Sequence, residues 1–187
     1  MTDDPPASLR YWRAVASLPA DRASALSELE ACFAAGGPVE RLDGPAKGRL
    51  ITTTIGYGLD RVFMGLASLW MPWKGKVLDP EAKEGRNIFA SPFRVPMRLM
   101  WPGYQDERAF DEGRFTTFRF TTWTGGGKLD PDIEVFKIDY DLPDSPRFMI
   151  RDILDELVQI DEGLYLGQAL LRWRGGFRRA AWFQLER

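Results

Sequence analysis

The chain has 187 residues, of which 44% are hydrophobic and 13% aromatic, so it can bury a substantial core and is expected to form one domain. Its formal net charge of −2 argues against binding to nucleic acid, because that role favours a basic excess on one face. The absence of histidine excludes histidine-based triads and general bases, imidazole-ligated zinc and histidine-ligated haem, and no cofactor or metal is predicted.

The cysteine content and the N-terminal sequence predict a cytoplasmic location. The single cysteine, Cys32, cannot form an intrachain disulfide, which favours a reducing environment. The N-terminus lacks a basic segment followed by an apolar run, so no signal peptide is predicted. The longest uncharged apolar stretch, 62–73, is too short to span a bilayer, and stable membrane insertion is not expected.

Helical patterns dominate the first part of the chain. Residues 1–8 are expected to form a flexible lead, followed by a single barrel-like domain at 9–187. A weak helical pattern at 9–18 precedes a clearer one at about 22–35, for which Asp21 is a suitable N-cap. The clearer helix has one apolar stripe, which predicts that it packs across the outside or the open end of a sheet.

The middle of the chain mixes strand patterns with segments rich in proline. We predict strands at about 48–55 and from Trp73 onward, with a helix at about 59–70 between them. A short strand is expected at 87–93. Residues 96–104 are rich in methionine and aromatic side chains and lie between prolines, so we expect a loop that is buried or covers an apolar opening.

The C-terminal part has the strongest strand patterns. Strands are predicted at 114–123 and 133–140, separated by a glycine-rich turn at 124–128. A three-stranded antiparallel meander follows, at 148–160, 164–173 and 177–186.

About eight or nine strands with short turns predict a mainly β fold with a few N-terminal helices. The expected architecture is a lipocalin-like or calycin-like antiparallel β-barrel, with the helices packed on it or closing one end. The alternative is a strongly bent α+β sheet wrapped around the helix at 59–70. An eight-stranded barrel has an interior just large enough for one small ligand.

Short motifs along the chain resemble those of the small bacterial GxWxG proteins. They are L-D-G-P-A-K-G-R at 42–49, W-K-G-K at 73–76, D-Y-D at 139–141, I-R-D at 150–152 and G-L-Y-L-G at 163–167. The resemblance covers about 42–186 and implies a calycin-like β-barrel in a family without a well-defined activity. The chain departs from the pattern at Ala46, where the family has tryptophan, and at Met149, where it has proline.

The first function class is a protein that holds an apolar or amphipathic small molecule, such as a fatty acid or an isoprenoid-like compound, inside the barrel. Lys74 and Lys76 would lie on one side of a strand start beside an indole and could bind a carboxylate or phosphate head group, as could Arg151. The structural alternative is a strand with outward lysines and an inward tryptophan. The candidate aromatic lining consists of Trp73, Trp101, Tyr104, Trp123 and Tyr165.

The second function class is a cofactor-independent isomerase, cyclase or hydratase on the same barrel. Its acid or base would come from Asp141, Asp152, Glu156 or Tyr165. Asp139 and Asp141, at i and i+2, could share a proton or hold a metal, but a strand that runs into a turn explains them equally well.

Charged residues also interrupt the apolar pattern of 148–160, namely Arg151-Asp152 and Asp155-Glu156. If they face the barrel interior they must be paired, as a structural lock or as a site that orients a substrate. A carboxylate that points into the cavity without an ion-pair partner would favour catalysis, and its absence would favour binding. A third option is a protein-protein interaction module that uses 96–104, which an exposed apolar patch there would support; the chain could also form a homodimer.

Overall fold

The structure, a computed structural model, describes residues 5–54, 73–147 and 149–187. The helices among these residues are α1 (Ala7–Ser17), α2 (Arg22–Ala34) and α3 (Arg94–Met100). The strands are β1 (Gly44–Thr53), β2 (Trp73–Asp79), β3 (Glu84–Ala90), β4 (Arg108–Asp111), β5 (Arg114–Gly126), β6 (Glu134–Asp139), β7 (Ile153–Asp161), β8 (Leu164–Trp173) and β9 (Gly176–Glu186). Two short 3-10 turns, Ser91–Phe93 and Ile150–Asp152, precede α3 and β7. The helix predicted at 59–70 lies outside the described residues.

The strands form a closed antiparallel barrel with one additional strand. Their order is β3-β2-β1-β9-β8-β7-β6-β5-β4, and pairing of β3 with β5 closes eight of them into a ring. The first residues of β5 pair with the short β4, and its last residues pair with β6. The prediction of a calycin-like antiparallel barrel is therefore confirmed. The alternative, a strongly bent α+β sheet, depended on wrapping around the helix at 59–70, whereas the strands here close on one another.

Several strand ends differ from the predicted ones for local reasons. β1 begins at Gly44 instead of residue 48, because its first residues pair with β2. β3 ends at Ala90, since Ser91–Phe93 turns into a 3-10 helix with proline in its first turn. The glycines of the predicted turn at 124–128 extend β5 instead, as far as Gly126 opposite Glu134.

The prediction of a loop at 96–104 is wrong over its first half. Arg94–Met100 is a helix, and Pro96 lies in its first turn. Backbone N–H groups in the first turn have no partner within the helix, so proline is tolerated there. Pro102 follows the helix instead of interrupting it. The prolines therefore lie near the two ends of α3. Val95 and Leu99, one helical turn apart, are 68% and 79% exposed.

The N-terminal helices pack against the outside of the barrel, as the stripe on the second helix predicted. The side chain of Asp21 accepts a hydrogen bond of 3.1 Å from the backbone N–H of Ser24 and so caps α2. α1 begins at Ala7, two residues before the helical pattern predicted at 9–18. No helix of the described chain has the length and apolar character needed to cross a bilayer.

The barrel wall separates two hydrophobic cores. Helix residues such as Leu29 and Phe33 cover outward residues such as Val158 and Trp182, whereas inward residues fill the barrel. Both faces of the C-terminal strands are apolar for this reason, since alternate residues of each strand contribute to different cores.

Candidate functional site

A cavity of about 280 Å³ lies inside the barrel, toward the end where α3 and the 3-10 turn Ile150–Asp152 lie. Its described lining is Leu50, Trp73, Lys76, Asn87, Phe89, Phe93, Met100, Trp101, Phe118, Tyr140, Met149, Ile150, Ile153, Asp155, Ala169, Ala181 and Phe183. Met100 and Met149 are 42% and 49% exposed, so these two lining residues also lie at the protein surface.

The cavity occupies one end of the barrel because large side chains fill the other end. Leu157 and Leu185 are buried in the inner core, two positions further along their strands than the cavity-lining Asp155 and Phe183, and Tyr165 is buried four positions before the cavity-lining Ala169. At the hollow end, Ala169 and Ala181 lie opposite each other on β8 and β9. Two methyl groups at that point leave space that larger side chains would fill.

Four polar residues from different parts of the wall meet at the inner side of the cavity. The Lys76 Nζ donates hydrogen bonds to Asp155 Oδ2 at 2.8 Å, to Asn87 Oδ1 at 2.9 Å and to the Tyr140 hydroxyl. Tyr140 in turn donates to Asp155 Oδ2 at 3.1 Å. The Trp73 indole N–H donates to Asn87 Oδ1 at 3.0 Å and ties the cluster to the aromatic lining.

The cluster is buried, and its protonation states follow from that burial. Burial lowers the pKa of the Lys76 ammonium, and the carboxylate of Asp155 opposes this shift. Burial and the same carboxylate raise the pKa of Tyr140 well above its usual range, so its hydroxyl is neutral at pH 7. The Lys76 Nζ also lies 5.1–5.6 Å from four aromatic ring centroids, which partly replace its hydration.

A bulge in β2 places Trp73 and Lys76, but not Lys74, on the inner side of the barrel. The register with β3 shifts between Trp73 and Gly75. Gly75 has a φ of 137°, and a Cβ there would lie 2.0 Å from the carbonyl oxygen of Ala46. Lys74 is exposed. The prediction that both ammonium groups lie on one side is therefore wrong, because it assumed a regular strand.

A second bulge, in β5, brings Phe118 to the cavity wall. The register of β3 against β5 shifts between Arg86 and Asn87, and Phe118 has a φ of 51°. Its N–H donates to the Tyr104 hydroxyl at 3.1 Å, and its carbonyl accepts from Asn87 Nδ2 at 3.3 Å. Bulky residues rarely adopt this conformation, so these side chains stabilise a strained segment beside the cavity.

The other predicted aromatic residues occupy different places. Trp101 lines the cavity and packs edge-on against Phe118, with 5.2 Å between ring centroids. Tyr104 stacks on the same ring from outside the lining. Trp123 is 42% exposed, and Tyr165 lies at the filled end, where its hydroxyl donates to the carbonyl of Arg41 at 2.6 Å.

The predicted charged residues do not meet in the cavity. Arg151 Nη2 lies 2.7 Å from Asp141 Oδ1, and Arg172 Nη2 lies 3.2 Å from Asp141 Oδ2. These contacts form a partly exposed ion cluster that holds the pKa of Asp141 below its usual range, chiefly through Arg151. Asp152 is half-buried in the 3-10 turn Ile150–Asp152.

Glu156 is fully buried but belongs to the outer face of the wall. Its Oε1 lies 3.2 Å from Lys137 Nζ and accepts from the Lys128 N–H at 2.8 Å, and its Oε2 accepts from Gln168 at 3.0 Å. Among the charged residues of 148–160, Asp155 is the one that faces the interior, and it is paired as expected. Its partner is a lysine from β2 instead of a neighbouring arginine.

Asn87 and Tyr140 were not among the candidate site residues predicted from the sequence, whereas Asp155 was predicted to be paired if it faces the barrel interior. For Asp155 a signal was present, since a carboxylate interrupts an apolar strand. Tyr140 lies in the sequence between two carboxylates that attracted attention instead. Neither belongs to the cluster: Asp139 Oδ1 accepts the Asp141 N–H at 2.9 Å, and Asp141 pairs with Arg151 and Arg172. Asn87 carried no signal of its own, because its contacts with Lys76, Tyr140 and the Phe118 carbonyl depend on how distant parts of the chain pair in the closed barrel.

The site is thus a ligand-sized cavity inside a closed antiparallel barrel, and such a fold could bind a small molecule. No family model and no curated protein matches the chain, so the resemblance to the GxWxG proteins stays a prediction. The chain is similar to a crystal structure of a protein from Thermomonospora curvata. That similarity covers 95% of this chain and 97% of that chain, with a TM-score of 0.52 and 14% identity, and it concerns the fold alone.

Proposed function

We propose that this protein binds an apolar or amphipathic small molecule in the barrel cavity. The observation that carries the proposal is an apolar cavity with one localised polar cluster. Most of its described lining is aromatic or aliphatic, and the polar atoms converge around Lys76 and Asp155. Pockets of this kind bind small molecules by burying an apolar body and orienting one polar group.

The size of the cavity favours a compact ligand. Ligand pockets usually range upward from about 300 Å³, and this cavity is at the lower end with its volume of about 280 Å³. A medium-chain or compact ring compound fits better than a long-chain fatty acid.

The state of the carboxylates favours binding over catalysis. Asp155 is the carboxylate among the described cavity-lining residues, and it has an ion-pair partner in Lys76. Glu156 faces the outside of the barrel, and Asp141 lies in a partly exposed ion cluster with two arginines. General acid or base catalysis in a dry pocket requires a carboxyl group that is free to exchange a proton with the ligand.

Filling the cavity tests the proposal. Ala169→Phe places an aromatic ring where two methyl groups now face each other, whereas Ala109→Phe adds the same ring at an exposed position on β4. Native mass spectrometry of freshly purified protein, followed by solvent extraction, should find a small apolar adduct on the wild type and on Ala109→Phe. The adduct should be absent from Ala169→Phe. An adduct retained by Ala169→Phe at the same occupancy would contradict the proposal.

Association of two copies of the chain is the second candidate function. The exposed side chains of Val95 and Leu99 on α3 favour it, because exposed apolar groups on one helix face are typical of contact surfaces. If α3 mediates a homodimer, sedimentation of the wild type will give a dimer and Leu99→Asp a monomer. A wild-type monomer at high concentration would exclude this candidate.

A further inference from the structure

We infer that the ligand carries a neutral hydrogen-bond donor, such as a hydroxyl group, which binds Oδ1 of Asp155. This inference deepens the proposed function and depends on it. It excludes a carboxylate head group, which the sequence suggested through its lysines. Three features of the cluster support this: the polar atoms that already have partners, its net charge and its burial.

All donors of the cluster are used within the protein. The three Lys76 protons are directed to Asp155, Asn87 and Tyr140. The two Asn87 Nδ2 protons are directed to the Phe118 carbonyl and the Tyr140 hydroxyl. The Tyr140 proton is directed to Asp155 Oδ2, and the Trp73 indole proton to Asn87 Oδ1. A ligand acceptor that entered the cavity would therefore have to break an existing bond.

One acceptor of the cluster remains unused. Asp155 Oδ2 accepts from both Lys76 and Tyr140, whereas Oδ1 has no hydrogen-bond partner among the described residues. The Asp155 side chain is 7% exposed and lines the cavity, so its accessible surface faces the ligand space. A carboxylate oxygen in such a position is a strong acceptor for a ligand O–H or N–H.

The charge of the cluster favours a neutral ligand. Lys76 and Asp155 form a buried ion pair, and Asn87 and Tyr140 are neutral, so the net charge of the cluster is close to zero. A bound carboxylate would add one buried negative charge next to Asp155, without a free donor to stabilise it. Burial of an uncompensated charge costs far more than a single hydrogen bond returns.

Three probes of the same size separate these requirements. 1-Octanol has a hydroxyl donor, its isomer 1-methoxyheptane has only an ether acceptor, and octanoate is an anion at pH 7. Isothermal titration calorimetry on the wild-type protein should show 1-octanol binding roughly tenfold or more tightly than the ether. Octanoate should bind on the order of a hundredfold more weakly than the alcohol. Hydrophobicity alone predicts the opposite order for the first pair, because the ether is less well solvated by water.

A charge change at the same position should change the selectivity. In Asp155→Asn the Lys76 charge loses its counterion, so octanoate should gain at least about tenfold in affinity and 1-octanol should lose its advantage. Asp161→Asn removes an exposed carboxylate at the end of the same strand and should leave the ranking unchanged. The wild-type ranking decides the inference even if Asp155→Asn does not fold.

The outcomes distinguish the inference from the proposed function. If the wild type binds the ether or octanoate as tightly as 1-octanol, the inferred donor is wrong while the binding function stands. If none of the three probes binds, both are wrong. A ranking with the alcohol first that is unchanged in folded Asp155→Asn would also overturn the inference, since the contact would then lie elsewhere.

Discussion

At the scale of single residues, the ion pair of Lys76 and Asp155 is the centre of the polar cluster in the cavity. The two groups are buried, lie 2.8 Å apart and join β2 to β7 across the barrel. A buried ion pair adds little net stability compared with well-packed apolar residues, but one buried charge without its partner is strongly unfavourable. The pair therefore holds a fixed polar cluster in an apolar cavity.

Removing one member of the pair should cost more than removing both. Lys76→Met or Asp155→Leu alone should lower the free energy of unfolding by about 3–5 kcal/mol, and the double variant should recover most of that loss. Equilibrium urea denaturation measures all three values. Asp111→Asn, which breaks an exposed ion pair with Arg114, should leave the free energy nearly unchanged. If the double variant loses as much free energy of unfolding as the two single variants together, the pair is not coupled.

The ion cluster of Asp141 should make the free energy of unfolding depend on pH in the acidic range. Its pKa is lower in the folded protein because Arg151 and Arg172 stabilise the charged form. The resulting stabilisation is complete above the unfolded pKa of about 3.9 and is lost as the pH falls through the lower folded value. We expect Asp141→Asn to be less stable than the wild type at pH 7, with the two unfolding free energies converging below that range. Denaturation between pH 7 and pH 2 measures this, and a gap that stays constant with pH would contradict it.

At the scale of elements, two bulges explain why sequence patterns predicted the strands better than the site. Alternation correctly predicted the last two strands of the C-terminal meander, where inner-core and outer-core residues alternate. The first strand was predicted at 148–160 but begins at Ile153, because Ile150–Asp152 forms a 3-10 turn. The same alternation placed Lys74 with Lys76, since nothing in W-K-G-K separates a regular strand from a bulge at Gly75. Which strands meet across a ring, and hence which lysine meets Asp155, depends on closure by β3 and β5.

The β2 bulge should be intolerant of a side chain at Gly75. Gly75→Ala adds a Cβ that would lie 2.0 Å from the Ala46 carbonyl oxygen, at a φ of 137° that favours glycine. Holding alanine in this backbone conformation should by itself lower the free energy of unfolding by about 1–3 kcal/mol. Thermal or urea denaturation should show at least that loss, together with weaker binding of 1-octanol because Trp73 and Lys76 shift. Gly103→Ala is the matched control, since its Cβ would meet no atom within 4 Å. Equal stability of the two variants would argue against the bulge.

At the scale of the whole molecule, the proposed function depends on a barrel that is filled at one end and hollow at the other. The sequence predicted the barrel and a single small ligand, but composition could not separate a hollow interior from a filled one. The difference comes from a few small side chains, such as Ala169 and Ala181, that meet only after the strands pair. Candidates such as Tyr165 and Trp123 have suitable side chains but lie at the filled end or on the outside.

The most direct test of this account is a crystal structure of the protein soaked with 1-octanol. We predict electron density for the alkyl chain between Phe89, Phe118 and Phe183, with the hydroxyl group within hydrogen-bond distance of Asp155 Oδ1. The wall strands should remain in register. A cavity closed by its own side chains, or octanol bound only on the surface of α3, would contradict the claim that the barrel is built to hold a ligand.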